Sequence, residues 1–128
     1  MRTQSLPTRI MLVDDDVHFR RSLAIGLENV GVEVVELPEG LMALEFLMGH
    51  QGTESGVDGV VVDARMPGLD GFWLSDQIQD LFPGVRVLIL SAHRYTDLPA
   101  QYTLMEKPVK MERLLAALGF MSVKGARA

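Results

Sequence analysis

Apolar residues along this chain fall into short unbroken runs, separated by longer segments with helical spacing. The first run, Arg9-Ile10-Met11-Leu12-Val13, stops abruptly at Asp14. A strand with one solvated face would alternate apolar and polar positions, so an unbroken run implies burial on both faces. Residues 32–37, 60–62, 85–90 and 102–106 read as four further strands, closed by Pro38, Asp63, Ser91 and Lys107-Pro108. Asp16 is placed to cap a helix in which Phe19, Leu23, Leu27 and Val30 recur on one face, with Gly31 as its stop. Residues 41–48 form a second helix, ended by Gly49. Residues 72–82 form a third, with Phe72, Ile78 and Leu81 inward, broken by Pro83-Gly84. Residues 109–118 form the last. Residues 51–58 and 66–71 carry the glycine and proline of loops.

Strand and helix alternate, and the strands are apolar throughout. This pattern predicts an α/β fold, a parallel sheet covered on both sides. Crossovers are right-handed, so an open sheet of this kind is doubly wound. The expected architecture is a five-stranded flavodoxin-like sheet in the order 2-1-3-4-5. Its ligand site lies at the carboxyl ends of the strands, where the winding reverses. With 128 residues the chain has room for one core. Residues 1–7 read as a lead-in, 8–120 as the domain and 121–128 as a flexible tail.

Composition narrows the function classes. A net charge of −5 argues against direct nucleic-acid binding, which needs a basic face. The absence of cysteine excludes a disulfide framework, a thiolate zinc site and thiol catalysis. No apolar stretch approaches the ~20 residues that cross a bilayer, and no signal peptide is visible, so a cytoplasmic protein without membrane contact is expected.

The polar residues that close the strands carry the chemistry. Asp14 and Asp15 follow strand 1, Asp63 strand 3, Ser91 strand 4 and Lys107 strand 5. Singly, each is an ordinary strand-end or turn residue, and Asp16 keeps that reading as a helix cap. Jointly, a parallel sheet brings residues distant in sequence to one edge. Three close carboxylates repel, and a hard divalent cation relieves the repulsion. A cation, the Lys107 ammonium and the Ser91 hydroxyl together form a clamp for the oxygens of a transferring phosphoryl group. Asp63, at the centre of the edge, is then the natural nucleophile.

These segments resemble the receiver-domain family of response regulators in bacterial two-component signalling. The resemblance rests on Ile10-Met11-Leu12-Val13-Asp14-Asp15-Asp16, Val60-Val61-Val62-Asp63-Ala64-Arg65-Met66-Pro67-Gly68-Leu69-Asp70-Gly71, Val87-Leu88-Ile89-Leu90-Ser91-Ala92 and Met105-Glu106-Lys107-Pro108. It implies that Asp63 is the phosphoacceptor. Mg²⁺ would be held by Asp15 directly, with Asp14 acting through water or nearby, together with Asp63 and the backbone carbonyl of Arg65. Ser91, Lys107 and the backbone N–H groups of Ala64 and Ala92 would bind the phosphoryl group. The donor would be a histidine kinase or histidine phosphotransfer protein, docking on the outer face of the first helix at His18, Arg21, Ser22 and Ile25. The output would be a switched partner-binding surface, serving a downstream protein or an effector domain on a longer chain. Such a switch modifies itself and is not a multiple-turnover enzyme.

Three features depart from the family pattern. Lys107 comes only sixteen positions after Ser91, with Pro99 in between, so the fourth helix should be missing or reduced to about one turn. Leu104 stands where the family carries a switching aromatic, with Tyr102 two residues earlier. Arg65 and His93 flank the expected pocket. A degenerate receiver, acting as a phosphorylation-independent interaction module, is the principal alternative. A hydrolase working through an aspartyl-phosphate would want an acid two residues after the nucleophile, where Arg65 stands. A flavin binder would want a glycine-rich phosphate loop in place of three aspartates.

Overall fold

A computed structural model describes residues 9–50 and 56–120. The expected lead-in, tail and most of the 51–58 loop lie outside the described residues. In chain order the elements are β1 (Arg9–Val13), α1 (Val17–Asn29), β2 (Glu33–Leu37), α2 (Gly40–Gly49), β3 (Gly59–Asp63), β4 (Arg65–Met66), β5 (Leu69–Asp70), α3 (Gly71–Leu81), β6 (Arg86–Ser91), β7 (Leu104–Glu106) and α4 (Met111–Ala117). Five strands form one parallel sheet in the order β2-β1-β3-β6-β7. Leaving out the small β4–β5 hairpin, this is the expected 2-1-3-4-5 winding.

The unbroken apolar runs follow from this architecture. Successive strand residues point to opposite faces, and both faces are covered. Ile10 and Leu12 of β1, Val61 of β3, and Leu88 and Leu90 of β6 pack with Leu23, Leu27, Leu114 and Leu118 of the α1–α4 layer. Met11, Val13, Val60, Val62 and Ile89 pack on the other side with Ala43, Leu47, Leu74 and Ile78 of the α2–α3 layer.

The helix ends obey local chemistry. The Asp16 carboxylate accepts from the Phe19 N–H at 3.1 Å and starts α1. At its other end Gly31 has φ +93°, with Gly31 N–H donating to Glu28 O and Val32 N–H to Leu27 O, a Schellman closure. Gly119, at φ +89°, closes α4 in the same way through bonds to Ala116 O and Leu115 O. The Asp70 carboxylate caps α3 by accepting from Phe72 N–H at 2.8 Å.

Three expectations change in detail. The 66–71 loop contains the β4–β5 hairpin, Arg65 opposite Asp70 and Met66 opposite Leu69, turning through Gly68 at φ +74°. Leu81 is 48% exposed: it sits at the last turn of α3, while Leu74, Ser75 and Ile78 form the buried stripe. The fifth strand starts at Leu104 rather than Tyr102. As expected, no helix intervenes between β6 and β7; residues 92–103 form a loop. Among the described residues no helix is long and apolar enough to cross a membrane.

Candidate functional site

The parallel register decides which residues meet. Val13 of β1 lies opposite Val62 of β3, Asp63 opposite Leu90 of β6, and Ser91 opposite Glu106 of β7. Asp14, Asp63, Ser91 and Lys107 therefore emerge together at the carboxyl edge, around a cleft of about 230 Å³. Asp15 joins them from the β1–α1 turn, and Arg65, Ala92 and His93 complete the rim.

Lys107 is the hub. Its Nζ lies 2.8 Å from Asp63 Oδ1 and 3.3 Å from Asp14 Oδ2. Its backbone N–H donates to Ser91 O at 2.8 Å, continuing the β6–β7 ladder to the residue that must carry the ammonium. Burial by itself would lower the Lys107 pKa, but its hydrogen bond to Asp63 and the charges of Asp14 and Asp63 outweigh burial and hold it above the usual lysine value. Asp14 is buried, and that burial raises its pKa. The Asp63 charge raises it further, opposed by the Asp16 N–H bond at 2.9 Å and by Lys107.

Ligand oxygens of Asp14, Asp15 and Asp63 lie within 4.8 Å of one another. One ammonium cannot neutralise three carboxylates at this spacing. The donors are all oxygen, as a hard divalent cation requires, and the exposed Asp15 supplies an open entrance. The residues present fit such an ion.

Two groups are engaged otherwise than as phosphoryl donors. The Ala64 N–H, expected to face the site, donates to Leu90 O at 2.8 Å because β3 hydrogen bonding to β6 runs on past Asp63. The Arg65 N–H addresses the nucleophile instead, 3.2 Å from Asp63 Oδ2. The Ser91 hydroxyl donates to His93 O at 2.8 Å and accepts from His93 N–H at 2.9 Å, so it anchors the loop that replaces a helix.

Other contacts were not legible in the chain. The Arg20 guanidinium donates to Asp14 O and pairs with Glu36, which also pairs with Arg21; together they fix the end of β1 against β2. The Phe19 ring, expected only as core, lies under the Lys107 ammonium at 4.2 Å from its centroid. Phe72 is flanked edge-to-face by Tyr95 and Tyr102, at centroid distances of 5.3 and 5.0 Å. The Tyr102 hydroxyl donates to Asp76 at 3.0 Å. His18, Arg21, Ser22 and Ile25 are all exposed on α1.

Comparison with known proteins agrees with this geometry. A family profile described as response regulator receiver domain matches residues 10–119. The chain is 33% identical over 118 residues to the transcriptional regulatory protein GlrR of Escherichia coli (strain K12), covering 88% of this chain and 26% of that protein. It is 32% identical over 119 residues to the response regulator MprA of Mycobacterium sp. (strain KMS), covering 88% and 50%. The chain thus spans half or less of these relatives. Among solved structures, the receiver domain from the hybrid histidine kinase CckA superposes with a TM-score of 0.71 at 27% identity, over 87% of this chain and 95% of that one.

Proposed function

The chain belongs to the response regulator receiver domain family, and from that premise we propose that Asp63 accepts a phosphoryl group from the phosphohistidine of a histidine kinase or phosphotransfer protein. The observation that carries this reading is the Lys107 ammonium, 2.8 Å from Asp63 Oδ1, beside a cluster of three carboxylates. One Asp63 oxygen bonds to phosphorus as the bond from phosphorus to the donor imidazole nitrogen breaks. The bonding pair leaves with that nitrogen. Asp14, Asp15, Asp63 and the Arg65 carbonyl oxygen would hold Mg²⁺, which when bound would supply positive charge against the phosphoryl oxygens. Lys107 supplies a second positive charge, and the Arg65 and Ala92 N–H groups supply donors. Water later attacks phosphorus, returning phosphate and the Asp63 carboxylate. The chain is thereby a self-modifying switch rather than a multiple-turnover enzyme.

Phosphorylation adds strong acceptor oxygens beside Ser91. To reach them the hydroxyl gives up its bond to His93 O, and the loop it anchors is released. That loop rests Tyr95 on Phe72 of α3. Partner binding therefore changes at the α3 end of the loop, where the family would present a fourth helix. The partner is a downstream protein or an effector domain, reached in the cytoplasm.

Intact-mass spectrometry after incubation with acetyl phosphate and Mg²⁺ tests the reading. One added phosphoryl group, abolished by Asp63→Asn and by chelator, is the expected result. If neither acetyl phosphate nor a phosphorylated histidine phosphotransfer protein adds that mass, the chain is a phosphorylation-independent interaction module instead.

A further inference from the structure

Lys107 reaches the carboxylates along a side chain with four rotatable bonds, starting from a short edge strand. Its position must be held by contacts, and two of its three N–H donors are accounted for by Asp63 and Asp14. Another side of the ammonium is covered by the Phe19 ring, 4.2 Å from Nζ to the centroid. The ring face carries negative potential and attracts a cation without hydrogen-bonding to it.

Phe19 is itself firmly placed by the acidic turn. The Asp16 N–H donates to the Asp14 carboxylate, and the Asp16 carboxylate accepts from the Phe19 N–H. The ring also packs against the α1–α4 core cluster. One local segment, residues 14–19, thus carries both Asp14 and the ring that face the ammonium.

We propose that Phe19 is a positioning residue for phosphoryl transfer: its ring holds the Lys107 ammonium over Asp63 by a cation–π contact and lets it follow the incoming phosphoryl group. This rests on the reading of Asp63 as phosphoacceptor. The chemistry of the alternatives shows why an aromatic suits the place. A third carboxylate there would compete with phosphoryl oxygens for the ammonium. An aliphatic side chain would exclude water but give the cation no attraction. A ring face is attractive over its whole area, so the ammonium can shift from a carboxylate oxygen to a phosphoryl oxygen without crossing a gap.

The test compares Phe19→Leu, Phe19→Tyr and a ring-fluorinated phenylalanine at position 19 with the wild type. Fluorination keeps the shape of the ring while weakening the negative face, so a purely structural role would not respond to it. Initial phosphorylation rates against acetyl phosphate concentration, followed by intact mass, should fall roughly 3- to 10-fold at saturating donor for the leucine and fluorinated variants. The tyrosine variant should retain the rate, and Mg²⁺ affinity, read from Trp73 fluorescence, should stay unchanged. Equal rates in the wild type and the fluorinated protein would overturn the proposal. A double-mutant cycle of Phe19→Leu with Lys107→Met, measured by urea unfolding without phosphodonor, provides an arm independent of transfer. Coupling between the two positions supports the contact, and its absence rejects the proposal whatever the rates. A wild type that shows coupling but never gains phosphoryl mass rejects the phosphoacceptor reading, and the proposal with it.

Discussion

At the scale of single residues, the site is a problem of charge. Three carboxylates cluster, one ammonium pairs with two of them, and Asp14 is buried. Desolvation and the Asp63 charge together raise the Asp14 pKa, so in the absence of a cation its ionisation opposes folding. Removing one charge from the cluster should relieve the repulsion. Asp15→Asn is expected to stabilise the metal-free protein by roughly 1 kcal/mol while abolishing the Mg²⁺ response. Thermal melts in chelator and in Mg²⁺ check this; a lowered melting temperature in chelator would count against the repulsion. Lys107→Met should act in the opposite direction. It leaves Asp14 and Asp63 facing each other without a counter-charge and should cost roughly 1–3 kcal/mol in urea unfolding.

At the scale of elements, the β4–β5 hairpin and the 92–103 loop decide the shape of the cleft. Gly71 lets α3 start directly behind the nucleophile: a Cβ there would lie 2.2 Å from Asp63 O and 2.9 Å from Ala64 Cα. Backbone cannot yield as a side chain does. Gly71→Ala should therefore cost roughly 2–3 kcal/mol by overpacking and slow phosphorylation with it, read by urea midpoint and intact mass. The loop is tied to α3 by Tyr102, whose hydroxyl meets Asp76, and by Gln79, whose side chain donates to Gln101 O at 3.1 Å. Burial and the Asp76 carboxylate raise the Tyr102 pKa above the ordinary 10.0. The protonated phenol is the form that bonds in the folded state. Its contribution is thus fully present below pH 10.0 and is lost as pH rises through the folded value. Tyr102→Phe should remove this alkaline decline, and comparison of urea midpoints for the two proteins from pH 8 upward, on the scale of about 1 kcal/mol, would show it.

At the scale of the whole molecule, a single sheet separates two apolar layers. Leu27 of α1 lies in one and Leu74 of α3 in the other, both fully buried. Each truncation to alanine should cost about 2–5 kcal/mol. Because the sheet lies between them, the double variant should lose the sum of the single losses within about 0.5 kcal/mol. A larger departure in the urea cycle would mean that the sheet transmits strain between its layers. The carboxyl edge of that sheet, between the two layers, is where Asp14, Asp63, Ser91 and Lys107 stand.

Much of this was legible in the chain for a definite reason. Unbroken apolar runs and helical periodicity record which faces are buried, and burial on both faces with intervening helices implies a doubly wound parallel sheet. Asp14, Asp63, Ser91 and Lys107 then had to meet, because strand ends of a parallel sheet lie side by side. The missing fourth helix was legible as a short interval containing Pro99. Periodicity says nothing, however, about where an element outruns its support: Leu81 keeps the spacing of Ile78 but falls at the exposed end of α3. Nor does it assign hydrogen bonds across strands. Only the register of β3 on β6 commits the Ala64 N–H to Leu90 and leaves the Arg65 N–H for Asp63. The second role of Phe19 belongs to the same class. Its apolar character put it on the inner face of α1, but the 4.2 Å approach of Lys107, distant in sequence, exists only once β7 docks beside β6. The chain by itself determined the layers and the edge on which the chemistry sits, because these follow from burial, while the pairing of β1 with both β2 and β3 bears out the expected strand order. The tertiary structure alone decided which donor faces which acceptor there, because that depends on distances between segments that no local pattern encodes.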